Sequence, residues 1–415
     1  MIGAIADDFT GATDVAIAFR RSGLRVVVLF HVDDDTELPD NDVTVVALKS
    51  RTIPAADAVE HSLRAVHWLR AKGATQIFFK YCSTFDSRPD GNIGPVADAL
   101  ARALGTERTV FVPASPQHLR TQYMGHLFVD RVLLSDSPMK HHPLTPMTRS
   151  YLPEVLREQT AHEVGLIDIR DVRVGSQRIR HLLDAAEPYL FVDALEADDL
   201  RLIGEACIDD ELVTGAAGLA AGLGAAHAAR RARPSLNGHV DVATAFGATG
   251  VALAGSCSAR TIEQVEHMKS VGHPWWRLDA LRTPDAVVLA EDALEWFDRQ
   301  PPGSSPLVYS STPPDDLRRA QRSLGTDTAA TILETAMGLI ARGLVDRGVT
   351  RLVVAGGETS GAVVTALEIS GGVIGEEAAP GVPWIHVADP PVDLLLKSGN
   401  FGDVQLLARA AGATA

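Results

Sequence analysis

The chain has 415 residues, of which 46% are apolar and 22% charged, and its net charge at pH 7 is −15. This length provides for two or three domains, and the composition excludes disordered and fibrous classes. The acidic balance excludes a general basic field for nucleic acid or an anionic membrane, so an anionic ligand would need a local basic pocket.

The first residues, MIGAIADDFTG, place no basic region ahead of the short apolar stretch and reach Asp7 and Asp8 at once, which is not the pattern of a signal peptide. No run of eighteen apolar residues follows. Cys82, Cys207 and Cys257 form no CxxC pair and fit a reducing compartment, so the expectation is a cytoplasmic protein.

Short runs rich in Val, Ile and Phe recur along the first half: IGAIA at the start, RVVVLF from Arg25, TVVALKS from Thr44, QIFFKY from Gln76 and TVFVPA from Thr109. Helical patterns lie between them. After Pro54, which suits a helix start, Val59, Leu63, Val66 and Leu69 recur at spacings of three and four and predict one buried stripe. Strand alternating with helix predicts βαβ units and a largely parallel sheet.

Polar residues cluster where these strands end. In ADDFTGATD, Asp7, Asp8 and Thr10 close the first strand while Gly11 and Thr13 open a helix. Adjacent carboxylates there suit sugar hydroxyls, a metal or the proton of an attacking alcohol; one could equally cap the helix while the other is solvated. Side chains alternate along a strand, so only one of the pair should reach a pocket. We take Asp8 as that one, with Asp7 engaged in capping or interdomain bonds. Lys49 and Arg51 follow in ALKSR, and FFKYCSTFDS brings Lys80, Ser83, Thr84 and Asp86, with Asn92 and Gly94 beyond. Lys80 in an apolar strand end calls for an anionic partner, either a ligand or Asp86. His126, His141 and His142 lack the spacing of a zinc site.

Residues 231–250 mix an Ala/Arg run with Pro, Gly and Asn and read as a connector. A second alternation follows: VALAGS from Val251, a helical pattern through Ile332, Ala336, Leu339, Ile340 and Leu344, then RLVVAGG from Arg351. Three turns rich in small residues follow apolar runs: Gly255, Ser256 and Ser258; Gly356, Gly357, Glu358, Thr359 and Ser360; and Lys397, Ser398, Gly399, Asn400 and Gly402. Such turns let backbone amides approach phosphates, although Thr359 or Ser360 serves equally well as a helix cap. In open α/β sheets ligands bind beyond the carboxyl ends of strands, so three such turns together predict a nucleotide cradle. There is neither a Walker A sequence nor a GxGxxG fingerprint.

With those residues in place, the chain resembles the four-carbon acid sugar kinases over nearly its whole length. IADDFTGATD, LKSR, FKYCSTFDSRPDGNIGPV, and GHLFV followed by HHPLTPMT carry the resemblance in the first half, and GSCS, GGETSGAV and KSGNFGD in the second. Within that family Tyr81, Cys82 and Phe85 resemble the 3-oxo-tetronate kinases, whereas threonate and erythronate kinases tend to carry a KKIDSTLRGN-like version of that motif. Arg149, and the pair Gln117 and His118, depart from the family pattern. The resemblance implies phosphorylation by ATP of the 4-hydroxyl of 3-oxo-tetronate, and ATP contacts at Ser258, Gly356, Gly357, Glu358, Thr359 and Gly399.

The expected architecture is two α/β domains with largely parallel sheets flanked by helices and an active site in the interdomain cleft. A substrate domain over residues 1–230 and a linker over 231–250 would precede a nucleotide domain over 251–415. Asp8 would orient or deprotonate the hydroxyl; Asp7, Lys49, Arg51, Lys80, Ser83, Asp86 and Asn92 would bind the sugar acid, and Mg2+ would accompany ATP. The rivals are a D-threonate or D-erythronate kinase and a nucleotide or sugar-acid binding protein without turnover. Self-association into a homo-oligomer is left open by the sequence.

Overall fold

A computed structural model describes residues 1–33, 35–142, 145–185, 187–231, 250–311 and 326–412. The linker read from the sequence therefore lies outside the described residues except at its two ends, and so do Pro143 and Leu144 of HHPLTPMT. The chain divides into two compact units, Met1–Leu236 and Asn237–Ala415.

The first unit begins β1 (Ile2–Ala6), α1 (Phe9–Arg21), β2 (Val26–Leu29), β3 (Val43–Ala47), α2 (Ala55–Ala71), β4 (Gln76–Lys80), α3 (Ile93–Leu104) and β5 (Thr109–Val112). A small antiparallel sheet follows, made of β6 (Arg120–Tyr123), β7 (His126–Val129) and β8 (Val132–Leu133). The unit closes with α4 (Leu152–Arg157), β9 (Val164–Ile167), α5 (Ile169–Val172), α6 (Ser176–Ala185), β10 (Tyr189–Val192), α7 (Ala197–Ala206), β11 (Leu212–Gly215) and α8 (Ala217–Arg230).

Its main sheet runs β2-β3-β1-β4-β11-β5-β10-β9, and every pairing is parallel. Both faces are covered, which is why β1 to β4 are continuous apolar runs buried along their length rather than alternating ones. From β1 the chain passes to β2 and β3 on one side, then crosses to β4 on the other. The strand order thus reverses at the β1–β4 pair, where an open α/β sheet leaves a crevice beyond its strand ends.

Helix α2 starts after Pro54 as the sequence predicts, but its buried stripe is Ala58, Ser62, Ala65, Val66 and Leu69. Val59 and Leu63 flank it, half-buried. The small side chains of Ala58, Ser62 and Ala65 let the helix approach the sheet closely, and Val66, Trp68 and Leu69 fill the space beside them.

The second unit contains β12 (Val251–Ala254), α9 (Ala259–Ser270), β13 (Trp275–Arg277), α10 (Ala286–Asp298), β14 (Leu307–Tyr309), α11 (Thr326–Asp346), β15 (Arg351–Ala355) and α12 (Gly357–Ala366). It ends with β16 (Gly371–Ala379), β17 (Val382–Val387), β18 (Val392–Lys397) and α13 (Leu406–Ala411). The strand order is β13-β14-β12-β15-β18-β17-β16. The first five strands are parallel, whereas β17 pairs antiparallel with both β18 and β16. The connections after β16 and β17 are too short for a crossover helix, so those strands can only return antiparallel.

Helix α11 carries the predicted 3.6-residue pattern, burying Ala336, Met337, Ile340, Ala341 and Leu344, while Leu339 stays exposed. Its segment Thr328–Asp346 is long and apolar enough to cross a membrane by length and composition. That apolar surface is used against α10 and α12. The strand order reverses again at β12: β13 and β14 lie on one side, β15 and β18 on the other.

Candidate active site

In the first unit the reversal gathers four charged residues. The Asp7 amide donates to the carbonyl of Lys80 at 3.1 Å, and the amides of Ser50 and Arg51 donate to the Asp7 carbonyl at 2.9 and 3.1 Å. The loops beyond β1, β3 and β4 are thereby stitched together. The buried Asp7 carboxylate receives Arg51 in a fork, Nε to Oδ2 and NH2 to Oδ1, both at 2.8 Å. Arg51 NH2 also donates to Asp8 Oδ1 at 2.7 Å. Burial opposes the Arg51 charge, but the Asp7 carboxylate more than offsets it and raises the guanidinium pKa.

Capping falls to Asp8, whereas the sequence reading had engaged Asp7 in capping or interdomain bonds. Asp8 Oδ1 accepts from the amide of Gly11 at 2.7 Å and opens α1. The physical reason is the Arg51 fork, which takes both oxygens of Asp7 and leaves only Asp8 at the helix entrance. Asp8 Oδ2 has no hydrogen-bond partner among the described residues. Burial raises the Asp8 pKa, with Arg51 pulling the other way.

Lys80, at the end of β4, is buried and donates to the Tyr81 carbonyl at 2.7 Å. It forms no ion pair with Asp86 among the described residues, since Asp86 Oδ1 instead accepts from Thr84 Oγ1 at 2.6 Å. Gly11 makes the approach of these groups feasible. A Cβ at this position would lie 2.4 Å from Asp8 Oδ1 and 2.8 Å from Lys80 Nζ.

Asp14, three residues beyond Gly11 and so on the same side of α1, shares this field and was missed from the sequence. Burial raises its pKa while Lys80 and His118 draw it down. Burial lowers the His118 pKa while Asp14 raises it. The legible signal was the spacing of Asp8, Gly11 and Asp14 in ADDFTGATD.

The other predicted substrate residues have the following surroundings. Lys49 is exposed, its ammonium 4.9 Å from the centre of the Phe9 ring. Asn92 spends its amide on the carbonyls of Ser50 at 2.6 Å and Arg51 at 3.2 Å, which shapes the Arg51 turn. Ser83 and Asp86 stay half-buried on the loop after β4. Tyr81 and Phe85 are fully buried and pack edge-on to each other, so these markers act from the core beneath that loop. Burial pushes the Cys82 thiol up to about 11, which keeps it protonated at neutral pH. The segments FDSRPD and PMTR, apart in sequence, line one cavity of about 360 Å³ through Arg88, Pro89, Met147 and Arg149. Arg149 is forked to Glu158 at 2.8 and 2.5 Å.

In the second unit all three small-residue turns meet at the other reversal. The amides of Gly255 and Ser256 donate to the Ala355 carbonyl, and that of Gly356 to the Lys397 carbonyl, so the ends of β12, β15 and β18 are tied in a row. Ser258 caps α9, its Oγ accepting from the Thr261 amide at 3.3 Å. Helix α12 has no side-chain cap: Gly356 stands at the N-cap position, and Thr359 and Ser360 are buried. The first amides of α12 are therefore left for an incoming group. A Cβ on Gly399 would lie 2.5 Å from Ser256 Oγ and 2.8 Å from Ser258 Oγ, whereas one on Gly357 would meet nothing within 4 Å. Glu358 is exposed in the first turn of α12.

A carboxylate and ammonium pocket on one α/β unit and an anion cradle on another define a protein that handles a small polar acid and a nucleotide. Comparison with known proteins agrees. Residues 2–223 match the sugar-binding N-terminal domain and residues 251–407 the nucleotide-binding C-terminal domain. The 3-oxo-tetronate kinase of Pseudomonas fluorescens Pf-5 is 44% identical over 421 residues, covering 99% of this chain and 96% of its own. That of Burkholderia multivorans is 44% identical over 420 residues with the same coverage. A crystal structure from Salmonella typhimurium LT2 matches with a TM-score of 0.91 at 39% identity, covering 99% of this chain and 98% of that one. The chain belongs to the 3-oxo-tetronate kinase family.

Proposed function

We propose that this chain is an ATP-dependent kinase that transfers the γ-phosphoryl group to the 4-hydroxyl of 3-oxo-tetronate, giving 3-oxo-tetronate 4-phosphate. The observation that carries this reading is the 44% identity over 99% of the chain to relatives bearing that name. The geometry supports it independently, because each unit presents the type of site that one of the two reactants requires.

Nucleotide phosphates would lie on the amides of Gly356, Gly357, Glu358 and Thr359, with Ser258 and Gly399 closing the cradle. The sugar acid would lie on the first unit, its carboxylate drawn by Lys80 and its hydroxyls by the Asp8 side of the site. Asp8 is anchored through Oδ1, which leaves Oδ2 to orient the 4-hydroxyl and take its proton as the oxygen attacks phosphorus. The bond from the γ-phosphorus to the β,γ-bridging oxygen breaks, and ADP leaves with that electron pair. Asp7 and Arg51 hold Asp8 in place rather than touch the substrate.

No group of three or more His, Cys, Asp or Glu side chains able to hold a metal occurs among the described residues. Mg2+ would accompany the nucleotide and neutralise the charge that develops in transfer. This chemistry belongs in the cytoplasm, where ATP is supplied. A coupled assay of ADP release across four-carbon acids tests the reading. Turnover of 3-oxo-tetronate should exceed that of D-threonate and D-erythronate; preference for either of these would reassign the substrate, and no ADP release with any acid would remove the kinase reading.

A further inference from the structure

Lys397 is 1% exposed, at the end of β18, directly behind the cradle of the second unit. Its ammonium donates to Thr261 Oγ1 at 3.0 Å, Gln264 Oε1 at 2.6 Å and the Gly399 carbonyl at 2.9 Å. An ammonium has three donors, and all three are spent on neutral acceptors. The charge itself is uncompensated: no carboxylate bonds to it among the described residues. The charged neighbour whose field reaches it is Arg260 of α9, which has the same sign. From β15 the register partner is Ala355, and α13 contributes the buried Leu406 and Leu407.

A buried, unpaired cation is costly, and a stable fold gains nothing from it unless an anion arrives. Thr261 continues the contact, its hydroxyl donating to the Gly399 carbonyl at 2.9 Å and accepting from Ser258 Oγ at 3.2 Å. Lys397 thus fixes both Gly399 and the Ser258 cap.

We propose that Lys397 is the buried counter-charge of the nucleotide phosphates and the pin that sets the Ser258 and Gly399 walls of their cradle. It acts through those two residues and through its field, without a free N–H of its own, and is therefore a positioning residue. The inference rests on the assignment of ATP to this cradle.

In the absence of nucleotide, burial lowers the Lys397 pKa to about 8. Phosphate oxygens settling beside it would raise that value, so binding must draw a proton from solvent near pH 8, where phosphates themselves are already ionised. Calorimetric titration of the full-length protein with ATP at pH 8, in two buffers of different ionisation enthalpy, reads that proton directly. Wild-type protein should take up a fraction of a proton per ATP, and its affinity should fall roughly tenfold per pH unit above pH 8. Lys397→Met should bind ATP at least tenfold more weakly, with no buffer dependence and a flat pH profile. ATP binding by the wild type with identical heats in both buffers would overturn the role of Lys397 while leaving the cradle assignment standing. ATP affinity unchanged in Gly357→Val would overturn the cradle assignment itself. The wild-type measurement decides even if the methionine variant does not fold.

Discussion

Asp8 and Asp14 lie within one field yet differ in how they are held. Asp8 is fixed by the Gly11 amide and Arg51, whereas no hydrogen bond holds the Asp14 carboxylate among the described residues, and the charges of Lys80, His118 and Arg51 steady it. A base needs a fixed oxygen and an open one, which favours Asp8. General-base contributions are about a hundredfold to ten-thousandfold, so Asp8→Asn should lower kcat by roughly that factor with ATP affinity nearly unchanged. Retention of more than about a tenth of normal turnover would rule it out, and loss confined to Asp14→Asn would transfer the role. Because burial raises the Asp8 pKa, the wild-type rate should fall on acidification through a pH above the ordinary 3.8 of an aspartate, a limb that Asp8→Asn abolishes. At this scale the sequence disclosed residue types but not partners. It brought Asp7, Asp8, Arg51 and Lys80 to strand ends. That Arg51 would clasp both aspartates, or that Asn92 would serve the Arg51 turn, depends on loops whose approach no local pattern encodes.

At the scale of elements, the parallel strands were legible because burial on both faces leaves an unbroken apolar run. The antiparallel strand β16 was not, since it mixes glycine, glutamate and alanine without a clean period. The turns after β12, β15 and β18 were legible as small-residue punctuation, and their meeting followed from strand order alone. A Cβ on Gly357 meets no protein atom within 4 Å. Gly357→Val should accordingly keep a melting temperature close to that of the wild type while weakening ATP binding by about tenfold or more, a loss of ~1.4 kcal/mol. Gly399→Ala is the opposite case, because its methyl group would press on Ser256 and Ser258 and open the turn. Lys397 adds a stability signature. Between about pH 8 and its ordinary 10.5 the unfolded chain holds a proton that the folded chain lacks, so stability should rise with pH across that window. Thermal melts of Lys397→Met should lack this rise.

Over the whole molecule, each compact unit has its own strand-order reversal, so the two ligands should be separable in binding. Lys80→Ala should weaken the sugar acid at least tenfold more than ATP, as read by calorimetry, because Lys80 belongs to the first unit and the cradle to the second. Hydrogen exchange offers a map of the same division. ATP should slow exchange at Ser256–Thr261 and Gly356–Ser360, and the acid at Asp7–Asp14 and Lys80–Asp86. Protection of the first set by the acid alone would contradict the assignment.

The burial of Phe85 has a consequence for how this chain could change its diet. Its ring lies in an aromatic cluster with Tyr81 and Phe191, and its backbone takes the left-handed conformation at φ 52. The loop that carries Ser83 and Asp86 is therefore moulded from below. Exchanging its exposed residues would leave the mould in place, whereas a library that varies Tyr81, Phe85 and Phe191 together would recast it. Adaptation to a new acid should then begin with paired changes in the interior, and libraries confined to the rim should return weaker versions of the present preference.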